Sequence, residues 1–176
     1  MRRLAVLLLL LVGLGTAPKA LAVPGWVQWQ TPDGVVRLET PPGWQPVQDG
    51  GPAALLLRDP IWRSENVSVI RSPLAVRESI RALGSPSEVG YILQRDWLRG
   101  PGITVELVDA RERWLGSRPL YQLEFAVHRP DGDRHDLAAV LLAHGEVISV
   151  TVSTPEPRWR QAESLLRQLI ASLAVG

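Results

Sequence analysis

From Val35 onward the chain alternates between stretches with apolar side chains at every second residue and stretches with them at every third or fourth. A period of two lines one face of a strand, and a period near 3.6 lines one face of a helix. Period-two runs bounded by Gly, Pro and polar clusters predict strands at Val35–Thr40, Ala53–Asp59 and Asn66–Ser72. Four longer ones follow at Ile103–Trp114, Leu120–His128, Arg134–Ala143 and Glu146–Ser153. Their connections, among them the dipeptide His144-Gly145, are too short for crossovers, which predicts an antiparallel meander.

Two stretches switch to the helical period. Gly84-Ser85-Pro86-Ser87-Glu88 is a helix start, with Ser85 as N-cap, Pro86 in the first turn and Glu88 placed to close a capping box. Val89, Ile92, Leu93 and Trp97 then form an apolar stripe, and Gly100-Pro101-Gly102 ends it. The second helix opens near Glu156-Pro157-Arg158-Trp159. Ala162, Leu165, Leu166, Leu169, Ile170 and Leu173 line one side of it, with Arg160, Glu163, Arg167 and Gln168 opposite. Strands in runs with helices set apart define an α+β class, an antiparallel sheet with helices packed on it. Where DGVVRLETPPGW breaks its alternation, Pro41 and Pro42 cannot donate to a ladder and Gly43 permits a sharp turn. Trp44 is expected to fold back as a packing anchor.

The segment before this pattern has a different character. Arg2 and Arg3, an apolar run from Leu4 to Leu14 and Ala20-Leu21-Ala22 are the three regions of a secretory signal, predicted to be cleaved before Val23. The apolar run is shorter than the roughly 20 residues a spanning helix needs. Residues 23–176 are then one domain, long enough to bury about 70% of the surface an unfolded chain exposes. Losing Arg2, Arg3 and Lys19 turns 19 basic and 18 acidic residues into 16 and 18, a net charge of −2. That balance carries no footprint for nucleic acid. With no Cys, the chain has no disulfide framework, thiolate catalysis or Cys-ligated metal, and no thiol to carry a lipid.

Candidate chemistry is sparse. There is no G-x-S-x-G elbow among the three-His sequence, and the Gly13-x-Gly15 pair lies in the signal, so an enzyme has no motif support and no cofactor is required. His128 and His144 fall at a strand end and a turn tip, as solvated residues. His135 differs. If His144-Gly145 is a two-residue hairpin turn, Ala143 pairs with Glu146 and His135 lies opposite Thr154, one side-chain step from Glu156. Imidazole plus carboxylate suits a divalent cation such as Zn, Mn or Ca, but two ligands are an incomplete site; the alternative is a plain His–carboxylate hydrogen bond. Of the seven Trp, Trp26 and Trp29 stand in an N-terminal segment with little core to join, which marks them as partner-binding candidates.

The ordered motifs DGVVRLETPPGW, SENVSVI, SIRALGSPSEVG, YQLEFAV and RHDLAAVLLAHGEVISVTVSTPEPRW resemble the PsbP family of photosystem II extrinsic proteins, in its cyanobacterial branch. The resemblance runs over nearly all of residues 23–176. It implies an α/β/α sandwich around an antiparallel sheet, a thylakoid-lumen location peripheral to the membrane, photosystem II lumenal-side subunits as partners, and no catalysis. Plant members are linked to calcium and chloride retention at the manganese cluster; cyanobacterial members resemble assembly or stabilisation factors. The resemblance also carries a metal-binding His and an acidic residue onto His135 and Glu156, with Glu in place of Asp. Only about ten residues precede Asp33 after the expected signal, so the ion-retaining role of the longer plant members is not expected of it. Without a lipidated Cys, the expectation is attachment through protein contacts or a chain free in the lumen.

Overall fold

Strand and helix ends fall within a few residues of where the hydrophobic pattern changes period. The computed structural model describes residues 24–74, 79–97 and 101–176; the expected export signal and Gly100 at the end of the first helix lie outside them. Its elements are β1 (Val27–Gln30), β2 (Val36–Thr40), β3 (Gln45–Pro46), β4 (Leu55–Arg58), β5 (Asn66–Pro73), α1 (Pro86–Trp97), β6 (Thr104–Leu115), β7 (Arg118–His128), β8 (Arg134–Ala143), β9 (Glu146–Pro155), α2 (Trp159–Ala171) and β10 (Ala174–Val175). Each of the seven expected strands and both helices is among them.

The main sheet has the order β3-β4-β5-β9-β8-β7-β6, and every pairing in it is antiparallel. The expected register of the last hairpin holds: Ala143 pairs with Glu146 and His135 with Thr154. His144 and Gly145 both have positive φ, 55° and 74°, as the two-residue turn that matches strand twist requires. Because successive side chains point to opposite faces, β8 serves two cores at once. Leu137, Ala139 and Leu141 join Val67, Val69, Val150 and Val152 beneath Leu166, Leu169 and Ile170 of α2. Ala138, Val140 and Leu142 join Tyr121, Leu123 and Phe125 on the other side, under Val89 of α1 and Ile80 of a short 3-10 turn. The sheet is therefore the middle layer of an α/β/α sandwich. Burying each of these Leu, Ile or Phe side chains contributes about 1.5–3 kcal/mol.

Local chemistry fixes how the helices sit. At the start of α1 the Ser85 N–H donates to Glu88 Oε2 at 2.7 Å and the Glu88 N–H to Ser85 Oγ at 3.4 Å, which is the expected capping box. Tyr121, buried on β7, donates its hydroxyl to the Gly84 carbonyl at 2.6 Å. Gly90 lets α1 lie close on β6: a Cβ there would stand 2.7 Å from Leu107 Cδ2. One irregularity escapes the period-two reading of β6. The ladder with β7 shifts between Leu107 and Asp109, leaving Val108 as a bulge, and the Leu107 N–H is taken by Gln94 Oε1 of α1 at 3.2 Å.

A second, three-stranded sheet of order β1-β2-β10 closes the α2 side. Here an expectation is corrected: the N-terminal segment does have a core to join. Trp29 sits opposite Leu38 in the β1–β2 ladder and donates its indole N–H to Thr40 Oγ1 at 2.9 Å, and both Trp26 and Trp29 pack against the α2-side core. The turn after β1 is tied to the main sheet, because Arg71 on β5 bonds Asp33 in the turn and Glu146 on β9 together. Trp44 is 4% exposed, so the Pro-Pro-Gly-Trp break ends a strand and anchors the chain as expected. Among the described residues no helix is long and apolar enough to cross a membrane.

Candidate functional site

Among the described residues a connected polar constellation lies where β7 ends and β8 begins, beneath α2. Its centre is His135, 4% exposed. Register places it: Ala126 is its partner on β7 and Thr154 its partner on β9, so Glu124, two residues before Ala126, is its diagonal neighbour on the same face. The 3-10 turn that precedes α2 brings Glu156 to the other edge of the ring.

Both ring nitrogens are engaged. His135 Nδ1 lies 2.9 Å from Glu156 Oε2, and Nε2 lies 2.9 Å from Glu124 Oε1. A neutral imidazole has one N–H and could satisfy only one of these carboxylates, whereas an imidazolium donates to both. Burial opposes charge on the ring, yet the hydrogen bonds to Glu124 and Glu156 outweigh it, and the pKa of His135 lies above its ordinary value. The bond from His135, helped by one from Arg167, holds the Glu124 carboxyl below the usual range against its burial. Arg167 Nη2 donates to Glu124 Oε2 at 2.7 Å, and its Nε to Glu163 Oε1 at 2.8 Å, one turn earlier on α2. Trp159 lies flat on the imidazole, ring centroids 3.8 Å apart and planes 12° from parallel. An unbroken chain of charge, Glu156–His135–Glu124–Arg167–Glu163, thus stitches the sheet to the start and the middle of α2.

The expected pair, His135 and Glu156, is brought together, in hydrogen-bond contact. Two protein donors stand on that side of the ring, and among the described residues no group of three or more His, Asp or Glu is arranged to hold a metal ion. A divalent cation there would have to displace the Nδ1 proton and complete its shell with water. His128 and His144 are exposed, the first beside Asp133 at 3.2 Å and the second with Nε2 2.6 Å from the Gly176 carbonyl. Trp26 and Trp29 are half-buried and pack against the α2-side core, so a partner would meet only the edges the core leaves uncovered.

Sequence reasoning missed Glu124, Arg167 and Glu65. Glu124 was within reach of the same register argument carried one strand further, across the loop between β7 and β8. Glu65, 2% exposed, accepts from Thr154 Oγ1 at 3.1 Å and from Arg158 Nε at 2.6 Å. It stands in a loop with no period, and nothing in the local sequence signals its burial.

The fold agrees with the resemblance in the sequence, and comparison with known proteins decides the family. The PsbP family model matches residues 26–175. The chain belongs to the PsbP family. Two cyanobacterial proteins named CyanoP, from Thermosynechococcus vestitus and Synechocystis sp., are each 34% identical to it over 142 residues. The match spans 77% of this chain in both cases, and 78% and 75% of theirs. The solution structure of CyanoP from Synechocystis sp. superposes with a TM-score of 0.73 at 29% identity, covering 93% of this chain and 99% of that one. This PsbP-family chain is thus similar to CyanoP over almost its whole length.

Proposed function

We propose that this PsbP-family protein is a non-catalytic extrinsic component on the lumenal side of the thylakoid membrane that associates with photosystem II and supports assembly or stability of its oxygen-evolving side. The observation that carries this reading is the near full-length likeness to CyanoP in both sequence and fold. The polar cluster supports it from the chemistry. A general base needs an unprotonated nitrogen in reach of a substrate, and His135 has both nitrogens engaged by carboxylates of its own chain. Its role there is to lock α2 onto the sheet and present a rigid body to a larger assembly.

The test is affinity purification of a tagged copy, export signal intact, from a phototrophic cell under gentle, low-salt extraction. Photosystem II subunits are expected to co-purify. Their absence overturns the reading, and recovery of a different thylakoid complex replaces it with service to that complex.

A second reading, a weak divalent-cation site at His135 and Glu156, is favoured by one observation: the Glu156 side chain is 44% exposed, so a cation has a route to the Nδ1 side. Titration with zinc, manganese and calcium tests it. Saturable binding that releases a proton and is lost in His135→Ala supports the site, and heat-silent titrations remove it.

A further inference from the structure

The loop between β4 and β5 presents an apolar tip at the surface. Ile61 is 80% exposed and Trp62 47%. Exposed apolar side chains scattered singly need no explanation, but these two are adjacent and held in place. Asp59 accepts hydrogen bonds from the Ile61 and Trp62 N–H groups through one oxygen, each at 2.7 Å. Backbone bonds from Asp59 N to the Glu65 carbonyl and from Glu65 N to the Trp62 carbonyl close the loop on itself. The Arg158 guanidinium lies 3.7 Å over the Trp62 ring and is anchored by the buried Glu65. Arg134 reaches from β8 to the Ser64 carbonyl at 2.5 Å. A loop with no core of its own is thus fixed from four sides, and the tip needs no further ordering on contact.

The charges around the tip are one-sided. Its acids are already engaged: Asp59 by two amides, Glu65 by Arg158 and Thr154, Glu156 by His135. Arg58, where the chain enters the loop, and Arg63, where it leaves the tip, are exposed and have no carboxylate partner among the described residues. Trp and Arg are the residues most enriched at the energetic centres of protein interfaces.

We propose that the Asp59–Glu65 loop is a docking tip, with Ile61 and Trp62 entering an apolar pocket on a partner protein whose rim carries carboxylates that pair with Arg58 and Arg63. A bilayer fits less well. One face of Trp62 is covered by Arg158, and two apolar side chains leave too little free area to hold a membrane interface. The tip is built the same way whichever complex bears the partner, so the inference stands apart from the photosystem II reading.

The test uses the full chain in a phototrophic cell with a photo-crosslinking amino acid replacing Ile61 or, as control, the exposed Tyr91 of α1. α1 packs on β6 and β7 at the other edge of the sheet. The expected result is a light-dependent adduct to a protein from position 61 and not from position 91, with Asp or Glu in the linked peptide. Its yield should fall at least tenfold with Arg63→Glu and be kept with Arg63→Lys, while thermal unfolding matches the unsubstituted chain. No adduct from position 61, adducts to lipid only, equal adducts from both positions, or a yield indifferent to Arg63→Glu would each overturn the proposal. The two readings fail separately. Photosystem II subunits co-purifying while position 61 stays unlinked removes the docking tip alone. A partner from another complex, linked at an acidic peptide, keeps the tip and removes the photosystem II reading.

Discussion

With a carboxylate oxygen 2.9 Å from each ring nitrogen, His135 is held as an imidazolium, and its proton is linked to folding. Its folded pKa is raised above the ordinary 6.5, so its contribution is complete below about pH 6.5 and is lost as pH rises through the folded value. Glu124 has the opposite sign. Its folded pKa is lowered from 4.5, so its contribution is present above about pH 4.5 and is lost as pH falls through the lowered value. The pair therefore stabilises most between about pH 4.5 and 6.5, where urea denaturation should give its highest midpoint. His135→Ala leaves Glu124 buried against Arg167 alone, and should cost about 3 kcal/mol near pH 6 and flatten the alkaline decline. Half of this site was legible in advance. A two-residue turn sets one register, and a side-chain period of two carries it unchanged along β8 and β9 to His135 and Thr154, just short of Glu156. Arg167 was not legible, because its reach depends on the rotation of α2 over the sheet, which the apolar stripe fixes only to within a side chain.

At the scale of single elements, the strands of eight residues or more are legible in the sequence, and so are the shorter β2 and β4, whereas β1, β3 and β10 are not. β5 to β9 hold enough residues to show a period; β1, β3 and β10, with 4, 2 and 2, exist because a neighbour offers a ladder. The bulge at Val108 was hidden for another reason. In Val105-Glu106-Leu107-Val108-Asp109 two apolar residues adjoin, and alternation alone does not say which is the extra one. The β8–β9 hairpin is the element most exposed to a single change. Gly145 has φ 74°, and a methyl group added there would come no closer than 4.0 Å to its nearest neighbour, so the effect of Gly145→Ala is conformational rather than steric. It should cost about 1–2 kcal/mol, read as a lower denaturation midpoint at unchanged slope.

For the molecule as a whole, the question is how the small sheet stays with the large one. Arg71 is the polar joint, gripping the β1–β2 turn through Asp33 and β9 through Glu146. Asp33 is held well below the usual carboxylate range, first by the Thr31 hydroxyl and then by Arg71. Solvent reaches the joint from the Asp33 side, so Arg71→Ala should lower the denaturation midpoint only slightly, and less at high salt. Hydrogen exchange would localise the loss: amides of β1 and β2 should exchange faster while those of β7, β8 and β9 keep their protection. Uniform acceleration would show instead that the two sheets open as one unit.

The irregular strand at the sheet's rim has a consequence for copies of this chain meeting one another. β6 ends the order of the main sheet, and a flat rim of 12 residues is a template on which a second chain could grow. Here the Val108 step throws the two halves out of phase, Gln94 occupies the Leu107 N–H, and Glu106, Asp109, Arg111, Glu112 and Arg113 put like and unlike charges in the path of any incoming strand. An approaching copy would find a continuous match along only part of its length, which frustrates fibril growth at high local concentration.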